Sequence, residues 1–380
     1  MANPIWPPPT VRPWAAVFAV EPDRAQVIWR DRPGRELRIL GGDTDMIVPT
    51  DHGAGAIDVV GLVPGADTVI EVHTASGRID LALTTLTPPP GEEVMRVATM
   101  NDMHIGCNGF GVLRTMRHSD PDPHTVPERA TMAALAESAA WGGAHLLIKG
   151  DAVHQSHQHT WDALARLLEA DGRPVDLIPG NHEVSPSSTV DVPDLVAGHP
   201  LHREPHRRDL PGLSIVLLDT TIAGRGRGRL DHAHEEAISL AADAPGPVML
   251  ATHHHLQTTE RARHIPVGVA RSQADRFLDD LHDVRPGSFL THGHTHRCRT
   301  RTYRSLRLTE ISSTVDHPGV WAGYAIHEGG IRQVVRRITD PAALTWSDYA
   351  RWAVGGYWGR YASGRLEDRC LVHSFDPAAV

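Results

Sequence analysis

Five times between residues 94 and 296, an apolar run of strand length stops abruptly at Asp, Asn or His. Residues 97–100 run into Asn101, Asp102, Met103 and His104, and residues 146–149 run into Gly150 and Asp151. Residues 176–179 lead to Gly180, Asn181, His182 and Glu183. Residues 248–252 meet His253, His254 and His255, and residues 288–291 meet His292, Gly293, His294, Thr295 and His296. Ligands of α/β sheets bind outside the carboxyl ends of strands. The pattern therefore predicts five strands delivering Asp, His, Asp, Asn, His, His and His to one edge. Side chains alternate along an extended segment, so His294 and His296 share a face with Thr295 turned aside. Gly293 lets the backbone bend tightly just ahead of them. Burying that many polar groups together is costly without a compensating cation, and imidazole suits several transition metals.

The chain changes texture on either side of this region. Residues 1–90 hold short apolar or alternating runs parted by Pro, Gly and Asp, which predicts an all-β unit. Its strands are expected over residues 14–20, 25–29, 57–72 (broken by Pro64-Gly65) and 78–86. Strands this short and this closely spaced suggest a small sandwich. The Trp29 strand and the Leu62-Val63-Pro64-Gly65 turn resemble a fibronectin type III domain. Thr87-Pro88-Pro89-Pro90-Gly91 is a stiff linker and the domain boundary.

From residue 94 strands alternate with helices. Helices are expected over 127–141, with Pro127 in the first turn, and over 159–170, with Trp161, Leu164, Leu167 and Leu168 on one side. Two more fall over 231–242, with Asp231 placed to cap it, and over 271–282. Further strands fall over 145–148, 175–178, 213–218 and 248–251, and β texture returns over 301–311 and 321–337. Residues 91–338 are thus expected to form one layered α/β domain. Residues 339–380 are a tail carrying Trp346, Tyr349, Trp352, Tyr357, Trp358 and Tyr361, expected to pack on that domain.

Composition narrows the setting. At 380 residues the chain has room for two or three domains. No apolar run approaches the roughly 20 residues that cross a bilayer, and the Pro-rich opening is no secretory signal. Three scattered cysteines, Cys107, Cys298 and Cys370, make no disulfide scaffold. A cytoplasmic setting, without a membrane partner, is the expectation. A net charge of −9 disfavours nucleic acid as a partner. Lys149 is the only lysine, read here as coding bias toward arginine.

Asp102-x-His104, Gly150-Asp151, Gly180-Asn181-His182-Glu183, a later His and Gly293-His294-x-His296, in this order, resemble the calcineurin-like metallophosphoesterase family over residues 94–336. The resemblance implies an α/β/β/α sandwich holding two metal ions, divalent or trivalent, drawn from Fe, Mn, Zn, Ni and Co. It implies that Asp102, His104 and His296 hold one ion, that Asn181, His253 and His294 hold the other, and that Asp151 bridges them. His254 is the alternative to His253, and His255 is read as ordinary loop. His182 is expected beside the leaving group, which it stabilises or protonates. Two cations about 3.5–4 Å apart would grip the phosphate, and a metal-bound hydroxide would attack it.

Purple acid phosphatases also carry a β-sandwich before the catalytic domain, but place a tyrosine ligand where this chain has His154. A ferric-tyrosinate centre is therefore not expected, and His154 is read as a rim or hydrogen-bonding group near the substrate, with an extra metal ligand as the alternative. Leu213–Leu218, the glycine-rich stretch with Arg225, Arg227 and Arg229, a helix and the His253 strand succeed one another as in class III cyclic nucleotide phosphodiesterases and glycerophosphodiesterases. Arg225 and Arg227 are candidates for lining the substrate entrance, and residues 107–126 for an active-site wall. Cys107 and Cys298 are expected to be packing residues.

The expected function is hydrolysis of a small phosphodiester such as a 3′,5′-cyclic nucleotide, with a homo-oligomer as a compatible assembly. The alternative on the same site is a phosphomonoesterase. A non-catalytic scaffold would need degenerate ligands, yet all seven ligand positions are filled.

Overall fold

The computed structural model describes residues 15–30, 36–50, 53–75, 77–110, 115–118, 123–259 and 266–376. Trp14, the chain before it, much of the expected wall at 107–126 and the last four residues of the tail lie outside the described residues.

Seven strands open the chain: β1 (Ala15–Val20), β2 (Arg24–Trp29), β3 (Glu36–Gly41), β4 (Thr44–Pro49), β5 (Gly55–Val60), β6 (Asp67–Thr74) and β7 (Gly77–Thr84). They form two antiparallel sheets, ordered β1-β2-β5 and β4-β3-β6-β7. Val27, Trp29 and Val59 of the first meet Leu37, Ile39, Ile70 and Val72 of the second in one core. The period of two is plain in β3, where Leu37 and Ile39 are buried while Glu36 and Arg38 are exposed. The β3–β4 hairpin was not expected from the sequence. It turns at Gly42, where φ is +52° and an added Cβ would lie 2.3 Å from the Val60 carbonyl oxygen.

Past the Pro-rich linker come β8 (Glu93–Met100), the short β9 (Gly109–Phe110) and β10 (Met116–Arg117), α1 (Val126–Ala140), β11 (His145–Lys149), α2 (Gln158–Asp171) and β12 (Val175–Ile178). The short β13 (Leu195–Val196) and β14 (His199–Pro200) follow, then β15 (His206–Leu210), β16 (Leu213–Leu218), α3 (His234–Ala242), β17 (Val248–Thr252), α4 (Arg271–Val284) and β18 (Phe289–His292). The domain continues through β19 (Arg299–Tyr303), β20 (Leu306–Glu310), β21 (Val320–His327) and β22 (Gly330–Arg337). The tail adds α5 (Pro341–Ala350), α6 (Trp358–Tyr361), α7 (Leu366–Arg369) and β23 (Cys370–Ser374).

Two six-stranded sheets result, β12-β11-β8-β21-β22-β23 and β15-β16-β17-β18-β20-β19. Val97, Leu147, Ile178 and Tyr324 of one face Ile215, Leu217, Met249 and Phe289 of the other. Ala130, Ala134, Leu164, Leu168 and Leu344 of α1, α2 and α5 cover the outside of the first sheet. Ala237, Phe277 and Leu281 of α3 and α4 cover the second. The layers are α/β/β/α, as expected. Strands buried on both faces read as near-continuous apolar runs, and all six residues of β16 are buried.

Two local expectations are corrected. Asp231 does not cap α3: its carboxylate takes the neighbouring His232 N–H at 3.1 Å, and the helix starts after Ala233 without a side-chain cap. The tail does more than pack, because β23 pairs antiparallel with β22 and closes the first sheet. By contrast, α1 keeps Pro127 in its first turn as expected, and Thr125 and Glu128 satisfy each other's backbone N–H groups.

The N-terminal sandwich is tied to the catalytic layers by buried polar groups. Glu21, 2% exposed, accepts from Trp141 Nε1 at 2.9 Å, from Arg336 at 2.8 Å and from Arg332. Gln26 exchanges two 2.8 Å hydrogen bonds with the Arg337 backbone, and Phe18 and Ala19 join the core under the first sheet. Burial alone would raise the Glu21 carboxyl pKa, but Arg332 and Arg336 outweigh it and hold it below the ordinary value. Removing one partner of a buried ion pair costs about 3–5 kcal/mol. Glu21→Ala should therefore lower the urea midpoint markedly while leaving metal content unchanged; an unshifted midpoint would contradict this account of the junction.

Candidate metal centre

The strand ends converge, though not on the edge of a single sheet. β8, β11 and β12 of the first sheet lead to Asp102 and His104, Asp151, and Asn181 with His182. β17 and β18 of the second lead to His253, and to His294 with His296. The two sheets share one mouth. Turning sharply there requires unusual backbone: φ is +51° at Asp102, +49° at His104, +50° at Asp151, +68° at His294 and +48° at His296. Such conformations cost a non-glycine residue on the order of 1–3 kcal/mol and persist where the surroundings over-determine them. Five of the eight non-glycine residues with positive φ among the described residues are thus expected ligands.

Asp151 lies at the centre. Its Oδ1 accepts the His182 backbone N–H at 2.8 Å, and its Oδ2 lies 3.4 Å from His253 Nε2, 3.9 Å from His182 Nε2 and 4.0 Å from His104 Nε2. Asn181 Oδ1 is 3.3 Å from His253 Nε2, while His253 Nδ1 meets the Lys149 carbonyl at 2.8 Å. On the other side, His296 Nε2 is 3.3 Å from Asp102 Oδ1 and 3.2 Å from His104 Nε2. Asp102 Oδ2 accepts the His294 backbone N–H at 2.9 Å and an Asn101 Nδ2 hydrogen at 2.6 Å.

The charges are strongly coupled to this geometry. Burial works against ionised Asp151 and Asp102, but His253 beside the first and His296 beside the second hold both carboxyls below their usual range. Burial likewise opposes charged imidazoles, yet Asp151 brings His253 up to about 9 and Asp102 brings His296 up to about 10. His294 is pushed down to about 3 by burial and by the charge of His253. Burial also lowers His104 and His254, with help from His182 and His294 respectively.

The donors fit cations. Ligand atoms lie within 4.8 Å of one another in each of the sets Asp102/His104/His296, Asp102/Asp151/His253 and His253/His254/His294. Imidazole nitrogens with carboxylate oxygens suit first-row divalent metals. Carboxylates that can hold two imidazoles protonated would equally favour a cation displacing those protons, since ligating histidine is neutral.

The remaining expected residues divide. His254 lies beside His294, ring centroids 4.4 Å apart, and bonds Thr220 Oγ1 through Nδ1 at 2.8 Å, with its buried Nε2 unbonded. His154 is buried rather than at the rim; its ring belongs to a set with His104 and His182, and its carbonyl meets His182 Nδ1 at 2.9 Å. Arg225 and Arg227 are exposed. They lie on a loop whose Gly224 packs on Pro186 and whose Gly228 packs on His254, beside the mouth. Phe110 stacks on His296 with centroids 6.0 Å apart, so the described part of the expected wall does flank the centre. Cys298 is buried and Cys107 half-buried, both as free thiols.

Sequence reasoning missed three supports. Glu183 accepts the backbone N–H groups of Asp151 (2.9 Å), Gly180 (2.7 Å) and Val153 (2.9 Å). Burial and the Asp151 charge push its carboxyl up to about 7. Its place in Gly-Asn-His-Glu was the available signal. Asp316 Oδ2 lies 3.2 Å from His296 Nδ1, with no local motif to announce it. Lys149 is no mere trace of coding bias: it is fully buried and donates to Thr291 Oγ1 at 2.7 Å and to the His292 carbonyl at 3.2 Å, tying β11 to β18.

A layered α/β fold with Asp, Asn and His gathered at the shared mouth defines a candidate metallohydrolase. Residues 95–298, more than half the chain, match the model of the calcineurin-like phosphoesterase family. The chain belongs to that family. It is 26% identical over 183 residues to a probable cyclic nucleotide phosphodiesterase of Psychrobacter sp. (strain PRwf-1), covering 44% of this chain and 51% of the relative. It is 24% identical over 176 residues to another so named from Psychrobacter arcticus, covering 44% of this chain and 62% of that relative. The chain therefore spans less than two thirds of either relative. Among solved structures, that of PhoD aligns over 86% of this chain and 87% of its own, with TM-score 0.44 and 9% identity.

Glu183→Gln should lower the melting temperature. An amide cannot accept at both oxygen positions, and a buried N–H left against a donor costs about 1–3 kcal/mol. An unchanged melting temperature would show that Glu183 does not hold these loops.

Proposed function

We propose that the chain is a metal-dependent phosphodiesterase for small phosphodiesters, with cyclic nucleotides as the leading substrate class. In this reading Asp102, His104 and His296 hold one cation, Asn181, His253 and His294 hold a second, and Asp151 serves both. The observation that carries it is the convergence of four strand ends on the Asp151 carboxylate, with imidazole nitrogens 3.4, 3.9 and 4.0 Å from Oδ2, while the fifth brings His296 to Asp102 and His104. Such cations supply Lewis acidity toward phosphoryl oxygens and a water acidified to a pKa of about 7.

The chain's own groups do the rest. Asp151 offsets repulsion between the two cation positions, and neutral Asn181 keeps the centre from becoming too negative for an anionic substrate. The His182 Nδ1–H donates to the His154 carbonyl, which turns Nε2 toward the cluster as the nitrogen able to take up a proton and pass it to a leaving oxygen. Its side chain is 32% exposed against 7% for His104, so it is the imidazole best placed to meet a departing ester oxygen. Arg225 and Arg227 beside the mouth would steer an anion toward it.

The naming of the two Psychrobacter relatives supports a diester over a monoester substrate. The same reading divides the chain into a fibronectin type III-like sandwich (1–90), a catalytic domain (91–338) and a tail (339–380), and places it in the cytoplasm. The three-plus-four strand order supports the sandwich assignment. No described helix is long and apolar enough to cross a membrane.

Metal-reconstituted protein should hydrolyse bis-p-nitrophenyl phosphate faster than p-nitrophenyl phosphate, and the reverse preference would favour a phosphomonoesterase. His182→Ala should keep its metal by elemental analysis yet lose about 10²–10⁴-fold in kcat. A kcat within a few-fold of wild type would remove His182 from the leaving-group role.

A further inference from the structure

A cavity of about 160 Å³ lies where the N-terminal sandwich, the catalytic layers and the tail meet. Its polar lining comprises Arg30, His317, Arg337, Asp348, Ser363 and Arg369, with an apolar wall from β1 and Ile28. Leaving Arg30 aside, the buried Arg337, Arg369 and His317 thus share a single carboxylate among the described lining residues. That carboxylate is already shared, since Asp348 pairs with Arg337 at 2.8 Å and with Arg351 at 2.9 Å.

Arg369 lacks a direct ion pair, and the nearby Asp368 and Glu367 offset only part of its burial. It is 6% exposed, and its hydrogen bonds go to the carbonyls of Phe18 (2.7 Å), Ser363 (2.6 Å) and Gly364 (3.1 Å). No carboxylate pairs with it among the described residues. Burial accordingly lowers its pKa. His317, 4% exposed, meets Ser363 Oγ through Nε2 at 3.2 Å, while its buried Nδ1 has no hydrogen-bond partner. Buried cations are normally paired with an anion, and arginine forks match the oxygen spacing of phosphate.

We propose that this junction cavity binds a small phosphate-like oxyanion, held by Arg369, Arg30 and His317. Its volume is well under the roughly 300 Å³ of ordinary small-molecule sites, which suits a single oxyanion rather than a nucleotide. The cavity is separate from the strand-end cluster, although His317 directly follows the Asp316 that contacts His296. The inference does not depend on the phosphodiesterase reading.

The test is calorimetric titration of the full chain with inorganic phosphate. A saturable event should survive Asp151→Ala, which alters the strand-end cluster, and should weaken by about tenfold or more in Arg369→Gln, the scale of a lost hydrogen bond to a charged group. Arg30→Gln, at the cavity rim, gives a second reading should Arg369→Gln fold poorly, and should weaken binding in the same sense. AMP should not compete for this event, and competition would overturn the free-oxyanion assignment. No saturable event in the wild type, loss of it in Asp151→Ala, or wild-type affinity in both arginine variants would overturn the proposal.

Discussion

A carboxylate removed from water must be surrounded by compensating groups, and Asp151 sets that demand at the mouth of this fold. Desolvating an ion costs several kcal/mol even after relaxation. Here the cost is met by a backbone N–H on one oxygen and by the imidazoles gathered around the other. The effect reaches one layer deeper. Glu183 grips the Asp151 backbone N–H and, sitting near that negative charge in a buried pocket, is pushed up to about 7. The three backbone N–H groups that Glu183 accepts work against that rise and tie the two carboxylates into one network.

The architecture supplies what such a cluster needs. Two sheets packed face to face bring the carboxyl ends of β8, β11 and β12 against those of β17 and β18, so groups far apart in the chain meet over a few ångströms. Left-handed backbone at five of these positions aims the side chains inward, and the packed layers hold that strain. Lys149 pins the two sheets together directly beneath the cluster, with Nζ on β18 and its carbonyl on His253. The flanking parts are joined to the same body. The tail completes the first sheet through β23, and the sandwich is anchored through Glu21 and Gln26.

Most of the architecture was legible because its strands are buried on both faces and its motifs sit where those strands end. The apolar run of β16 and the Gly293 bend announce themselves locally. What escaped was non-local or ambiguous. β23 is only five residues long and owes its existence to pairing with β22 more than thirty residues earlier. Asp231 looked like a cap but spends its carboxylate on His232, so α3 begins later. Asp316 touches His296 only because the chain returns to the mouth after β20, a fact no spacing encodes. The five polar strand ends suggested one sheet edge, whereas three belong to one sheet and two to its partner.

The proposed sharing of the Asp151 carboxylate between two cations makes metal content sensitive to this one side chain. Elemental analysis of purified Asp151→Ala beside the wild type should find two metal equivalents per chain in the wild type and close to none in the variant. Metal content unchanged in the variant would contradict the bridging role of Asp151 and, with it, the account of the centre built around it.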